Sequence, residues 1–187
     1  ELDFPSVRGM LTQLLVPVRF PRSRKPSKEF STAQWVLGAF MLFPRFLLDE
    51  VGYLDESYFM YGEEKDLCFR AHSLGYSVVC YTAGEIIHHG NASASQNEAK
   101  AVKAFHQSQT RFLRKHYSPA RSAVIRSLLF VSLVRSWLIH WVRGSVNSDS
   151  RRRSSALWEG VRWYLGIRPL RKPKGTERRE ATAKRGG

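Results

Sequence analysis

Residues Tyr61–Cys68 read YGEEKDLC and place three carboxylates within four positions, at the predicted junction of a loop and a helix. Acidic side chains in the first turn of a helix complement its dipole, and Gly62 lets the backbone approach a ligand closely. Carboxylates this close raise one another's pKa, so one of them can serve as a general base. The same cluster is also typical of an acidic helix N-terminus that binds nothing.

The residues around this stretch predict a strand, a short helix, a loop, a helix and a second strand. The unbroken apolar run at 35–43 is too short to cross a membrane and suits a strand buried on both faces. Apolar spacing at 46–52 ends in a glycine, which predicts a short capped helix. Helical spacing resumes from Glu63, and residues 76–81 alternate as a strand does. An α/β fold class follows.

The flanking segments predict different structures. Residues 1–34 combine short apolar runs with four prolines and a basic cluster, which indicates a connecting loop. Residues 99–116 predict a helix, and residues 118–167 predict membrane-associating amphipathic helices, at 121–143 and 156–165. Arginines interrupt the first of these, so we expect it to lie on a membrane rather than cross it. Residues 168–187 predict a disordered basic tail.

The net charge of +14 is concentrated near the C-terminus. Residues 111–187 carry 19 of the 30 Lys and Arg but only 4 of the 16 Asp and Glu. Such a segment is attracted to an anionic membrane or to nucleic acid. The tryptophans fall on apolar helical faces rather than among the lysines, which favours the membrane, so no nucleic acid is expected. A basic module that binds anions without catalysis is the alternative hypothesis.

Histidines and cysteines offer further candidate ligands. His88 and His89 follow the second predicted strand, where an imidazole can bind a divalent ion, although such pairs are also common in hydrogen-bonded loops. Cys68 and Cys80 lack the paired spacing of a zinc site. They also form no disulfide framework, which favours a reducing compartment.

Taken together, residues 35–117 resemble the family 2 glycosyltransferases, and most closely their rhamnosyltransferase-like members. The resemblance joins several segments in the right order and spacing. They are WVLGAFML at 35–42, VGYLDESYFMYGEEKDLCFR at 51–70, residues 71–81, IIHHG at 86–90 and FLRKHY at 112–117.

The resemblance implies that 35–117 is the C-terminal, acceptor-side half of a GT-A type, Rossmann-like fold. It implies an inverting transfer in which Glu64 is the catalytic base that deprotonates the acceptor hydroxyl. Among the other matched positions, the resemblance implies a role in acceptor or donor-sugar binding for Gly38, Ala39, Asp55, Glu56 and Glu63. It implies that Asp66 and Arg70 brace the loop. It implies that His88 belongs to a metal site.

The resemblance also implies ligands and a location. The donor would be a dTDP- or UDP-linked sugar such as rhamnose, and the acceptor a glycan or lipid-linked glycan of the cell envelope. A divalent cation, Mg²⁺ or Mn²⁺, would stabilise the diphosphate. The enzyme would lie in the cytoplasm on the inner face of the plasma membrane.

This sequence departs from the family pattern in ways that affect activity. Glu64 stands where the family has aspartate, which moves the carboxylate by one methylene group. The nucleotide-binding strands and the Asp-x-Asp motif of the family are not among these 187 residues. We therefore expect the chain to be a fragment that is inactive alone.

Overall fold

A computed structural model of the chain describes residues 3–15, 29–88 and 97–167. The described part is mainly helical with one small sheet. In chain order the elements are α1 (Val7–Leu15), β1 (Phe30–Ala33), α2 (Arg45–Val51), α3 (Glu63–Ser73), β2 (Val78–Tyr81), α4 (Glu98–His116), α5 (Pro119–Arg143) and α6 (Ser148–Tyr164).

The two strands form an antiparallel pair whose register runs from Phe30 opposite Tyr81 to Ala33 opposite Val78. β2 confirms the strand predicted near 76–81, although Cys80 in its apolar centre is exposed. The described residues thus form a mixed structure that is compatible with an α/β fold. The Rossmann-like half of the predicted fold stays a prediction.

The strand predicted at 35–43 is wrong. The chain leaves the sheet before this stretch and turns, so that Leu37, Phe40 and Leu42 are exposed. A strand buried on both faces needs neighbouring strands and covering layers. Among the described residues the sheet has only β1 and β2, and within this stretch Trp35 alone makes an isolated bridge, so no strand forms.

Residues 1–34 are more ordered than the predicted connecting loop. They contain α1 and β1, while 16–28 lie outside the described residues. Val7 and Met10 on α1 pack against Leu113 and Ile125 of α4 and α5. Apolar residues at helical spacing are the cause, and the prolines and basic residues around them obscured that spacing.

Two apolar clusters and an aromatic group hold the elements together. α2 packs on α3 through Leu47 and Leu67. α1, α4 and α5 share the second cluster, which includes Leu113. Phe112 lies between them, fully buried, with its ring centre 5.5 Å from that of Phe69.

The three C-terminal helices pack closely. A Cβ on Gly160 of α6 would come within 3.1 Å of Leu133 on α5 and of Val102 on α4. Trp137 of α5 and Trp158 of α6 have ring centres 5.0 Å apart. α4 and α5 confirm the helices predicted at 99–116 and 121–143, and α6 begins eight residues before the predicted start at 156. The predicted tail at 168–187 lies outside the described residues.

α5 turns its apolar residues outward. Val124, Val131, Leu138 and Val142 are each between 45% and 63% exposed. Their spacing places them within about 40° of one another around the helix. We call these four residues the outer stripe. On the opposite side of α5, Ser122 is buried.

The length and composition of α5 would allow it to cross a membrane, with 17% of its most apolar window buried in the protein. It is the one helix of this kind in the part of the chain that the structure describes.

Phe112→Ala is expected to lower the free energy of unfolding by about 3–5 kcal/mol, because the site sits between two packed units and cannot easily collapse. Urea unfolding followed by circular dichroism measures this. Val146→Ala, at a site that is 93% exposed, is the control and should change stability by less than about 0.5 kcal/mol. Similar losses in both variants would contradict the assigned packing.

Candidate active site

The first turn of α3 contains a fully buried carboxylate with four partners. Oδ1 of Asp66 accepts hydrogen bonds from Nε2 of His116 at 2.6 Å and from the hydroxyl of Tyr58 at 3.3 Å. Its Oδ2 accepts from Nε of Arg70 at 2.9 Å and from Nζ of Lys115 at 3.0 Å. We call these five residues the Asp66 network. It joins α3, α4 and the loop between α2 and α3.

The network keeps Asp66 ionised. Burial alone would raise the pKa of this carboxyl, because the charged form loses its water. Hydrogen bonds from His116, Lys115 and Arg70 outweigh that effect and hold the pKa well below its usual range. A buried charge with this many donors is a structural anchor rather than a proton carrier at neutral pH.

Arg70 extends the anchor to the end of α2. Its Nη1 donates to the carbonyls of Val51 and Gly52, the latter at 3.1 Å, and its Nη2 donates to the carbonyl of Tyr53 at 2.7 Å. Carbonyls at a helix C-terminus lack intrahelical partners, so a guanidinium that satisfies three of them in a row fixes the chain's path. The loop that leads to Glu63 thus begins at a defined place.

Asp55 and Glu56, both expected beside the acceptor, differ in their surroundings. Nζ of Lys115 lies 2.8 Å from Oδ2 of Asp55, and this hydrogen bond is the main cause that lowers the pKa of Asp55 to about 2. Asp55 is therefore tied to the Asp66 network, whereas Glu56 is exposed.

Glu64 lies beside Gly38, and these two predicted site residues are brought together. A Cβ on Gly38 would lie 3.5 Å from Cβ of Glu64, which is an ordinary van der Waals contact. Oε2 of Glu64 accepts the backbone N–H of Gly62 at 3.0 Å. Burial, followed by the charge of Glu63, raises the pKa of Glu64. A raised pKa brings a carboxylate closer to the proton affinity that a general base needs.

The residues next to Glu64 on either side are also partly or fully buried. Oε2 of Glu63 is buried and has no hydrogen-bond partner among the described residues. Nζ of Lys65 donates to the side chain of Gln109 at 2.6 Å and lies 4.6 Å from the ring centre of Phe112. Burial lowers the pKa of Lys65 to about 8. Ala39, next to Gly38, is exposed.

The predicted metal ligand stands apart from a recognisable site. His88 is exposed, and His89 lies outside the described residues. Among the residues described, no group of three or more His, Cys, Asp and Glu side chains could hold a metal ion. The role of His88 stays a prediction.

Sequence reasoning missed Tyr58, Lys65, Lys115 and His116. Lys115 and His116 lie in the 112–117 segment that resembles the family, but their partner Asp66 is about 50 residues earlier. The family resemblance of that segment could have marked Lys115 and His116 as functional. It could not show that they bind Asp66.

Comparisons with known proteins identify relatives of this chain. The chain is 37% identical over 127 residues to N-acetylglucosaminyl-diphospho-decaprenol L-rhamnosyltransferase of Mycobacterium tuberculosis, in strains CDC 1551 / Oshkosh and ATCC 25618 / H37Rv. The match covers 67% of this chain and 40% of each relative. No protein-family model matches the chain, and no solved structure matches it significantly. The similarity supports a relationship to the glycosyltransferases.

Asp66→Asn is expected to lower the free energy of unfolding by about 2–4 kcal/mol, because it removes the buried anion that Arg70 and Lys115 share. It should also reduce acid sensitivity. Since the folded-state pKa values of Asp66 and Asp55 lie below the ordinary 3.8, the unfolded state binds more protons in acid. Wild-type stability should therefore fall as pH drops from about 4 to 2, and urea unfolding across this range measures the slope.

Asp149→Asn is the control. Asp149 is exposed in the first turn of α6, and the substitution removes one carboxylate outside the network. It should leave the acid slope almost unchanged. An equal slope in wild type and Asp66→Asn would show that Asp66 is not held ionised by its neighbours.

Proposed function

We propose that the chain is the acceptor-side part of an inverting glycosyltransferase in which Glu64 is the catalytic base. The observation that carries the proposal is the 37% identity to the mycobacterial rhamnosyltransferases. The site supports it, because the side chain of Glu64 is partly buried, has a raised pKa and lies against Gly38.

The proposed reaction is a single displacement. Glu64 takes the proton of an acceptor hydroxyl as its oxygen attacks the anomeric carbon of the donor sugar. The bond from that carbon to the nucleotide diphosphate breaks, and the configuration inverts. The Asp66 network would hold the loop that carries Glu64 within the narrow limits that such an attack requires. Glu63, Gly38 and Ala39 would contact the substrates.

A divalent cation would need ligands from beyond the described residues. The described residues do not form a complete ligand set, so no step of this proposal passes through a metal. Mg²⁺ or Mn²⁺ remains our proposal for the active enzyme, with His88 as one ligand and the rest outside the described residues. When bound, such an ion would stabilise the charge of the leaving diphosphate.

The printed name of the relatives supports a choice of substrates. Those proteins transfer L-rhamnose to N-acetylglucosaminyl-diphospho-decaprenol, and this chain spans about 40% of their length. For this chain we propose a dTDP- or UDP-linked sugar as donor, with rhamnose as the sugar, and a lipid-linked glycan as acceptor.

We also propose that the protein works on the inner face of the plasma membrane. The outer stripe offers apolar side chains along the length of α5, and the positive charge of 111–187 would attract anionic lipids. A lipid-linked acceptor lies in the same plane, so membrane contact would bring the base to its substrate.

Glu64→Gln is expected to lower the rate of sugar transfer by about 10²–10⁴-fold, because an amide cannot accept the proton. The rate is measured with lipid-linked acceptor in membranes from cells that express the natural polypeptide. Glu64→Asp keeps the carboxylate and should retain part of the activity. Glu63→Gln, which neutralises the adjacent carboxylate, is the matched control and should lose less. Wild-type transfer by Glu64→Gln would refute the base assignment.

Val131→Glu is expected to weaken binding to anionic vesicles by about tenfold, because it places a charge within the outer stripe. Vesicle flotation measures the bound fraction. Gln107→Glu, on an exposed position of α4, adds the same charge outside the stripe and should have a small effect. Equal losses in both variants would point to charge alone, and tighter binding to single-stranded DNA than to vesicles would favour the non-catalytic basic module.

A further inference from the structure

A cleft of about 470 Å³ lies between the N-terminal segment, α3 and the start of α5. Neither Gly38 nor Glu64 lines it. Its lining includes three aromatic side chains, two groups that can carry positive charge and one carboxylate: Phe4, Phe69, Tyr117, His116, Arg121 and Asp3.

The aromatic walls of this cleft are fixed by packing. Phe4 meets Phe69 edge to face, with ring centres 5.0 Å apart, and Phe69 meets Tyr117 in the same way at 6.3 Å. The hydroxyl of Tyr117 donates to the carbonyl of Pro5 at 2.8 Å, which ties the N-terminal segment to α4. The aromatic side of this open cleft is therefore held in place by packing, and polar side chains form the rest of its lining.

Arg121 and His116 are the basic side chains of the cleft, whose other polar lining residues are Asp3, Ser6 and Gln34. The guanidinium of Arg121 lies 4.2 Å from the ring centre of Tyr117 and forms no ion pair with any residue that the structure describes. The side chain of His116 is 9% exposed, and its Nε2 is held by Asp66. An arginine that is stacked on a ring but has no anion is prepared to bind one.

The backbone adds positive potential at the same place. Ser6, which lines the cleft, precedes α1, and the lining residues Tyr117 and Arg121 flank the start of α5. The N-terminal end of a helix carries a partial positive charge, so the two ends supplement Arg121. Asp3 is the opposing charge. Its carbonyl, rather than its carboxylate, accepts the bond from Nε1 of Trp35 at 3.0 Å.

The outer stripe of α5 begins close to the cleft, although none of its residues lines it. Val124, the first residue of the stripe, comes one turn after Arg121 on the same helix. An apolar chain attached to an anion in the cleft could therefore follow the stripe. Aromatic walls, a free guanidinium and a neighbouring apolar surface together fit an amphiphile with a phosphate head.

We propose that this cleft binds the diphosphate group of a membrane isoprenoid, with Arg121 as the principal contact and the aromatic walls against the first carbons of the chain. The proposal deepens the proposed function and rests on it only for the source of the group, since a lipid-linked acceptor carries such a diphosphate. Binding of the anion itself requires no sugar transfer.

Inorganic pyrophosphate is the first probe, titrated into the 187-residue chain by calorimetry at low ionic strength. Arg121→Gln should weaken binding by about tenfold, since a charge-assisted hydrogen bond is lost. Asp3→Asn should strengthen it by about twofold to threefold, since a repulsive charge is removed. Arg152→Gln removes an exposed arginine on α6 and should change binding by less than about twofold.

The opposite signs expected for Arg121→Gln and Asp3→Asn separate the proposal from misfolding, because an unfolded variant cannot bind more tightly. Equal weakening by Arg121→Gln and Arg152→Gln would overturn it, as would no effect of either cleft substitution. Vesicles that contain a polyprenyl diphosphate should then retain the wild-type chain better than phosphatidylglycerol vesicles of equal surface charge. Equal retention would overturn the isoprenoid assignment, and it would leave the Glu64 experiment unaffected.

Discussion

The buried carboxylate of Asp66 is the constraint on which the rest of the site depends. An unpaired charge in a protein interior costs several kcal/mol, so a fully buried aspartate is tolerated only where donors surround it. Those donors come from three separate parts of the chain: Tyr58 from the loop, Arg70 from α3 itself, and Lys115 with His116 from α4. Satisfying one charge therefore fixes the relative positions of these three elements.

Two carboxylates in the same helical turn have opposite environments. Asp66 and Glu64 are two residues apart, and side chains with that spacing point about 160° away from each other around a helix. Asp66 enters a ring of donors, which lowers its pKa, while Glu64 enters a partly desolvated position beside Gly38, which raises its pKa. Opposite environments can give neighbouring carboxylates opposite roles. The first is fixed by its donors, and under the proposed mechanism the second would exchange a proton.

Local signals in the sequence were enough to predict α2, α3, β2 and α4, because apolar spacing and glycine caps act over a few residues. Gly52 and Gly62 adopt positive φ values at the two ends of the loop, as glycine readily does. The pairing of Asp66 with Lys115 and His116 could not be predicted, since nothing local specifies a contact across about 50 residues. The strand predicted at 35–43 was wrong for a related reason. An apolar run predicts that a segment is buried, but it does not predict which other segments cover it.

The sequence of α5 also could not predict which side of this helix faces the rest of the protein. A helical wheel separates apolar from polar residues, but it cannot say which side other helices occupy. In the structure α4 and α6 pack on a side that includes Ser122 and Leu133, while Val124, Val131, Leu138 and Val142 are exposed. Full burial of such side chains is worth about 1.5–3 kcal/mol each, so four of them left in water forgo a large stabilisation. A lipid surface that recovers part of it, beside a segment with 19 Lys and Arg, would bind through two independent terms, one apolar and one electrostatic.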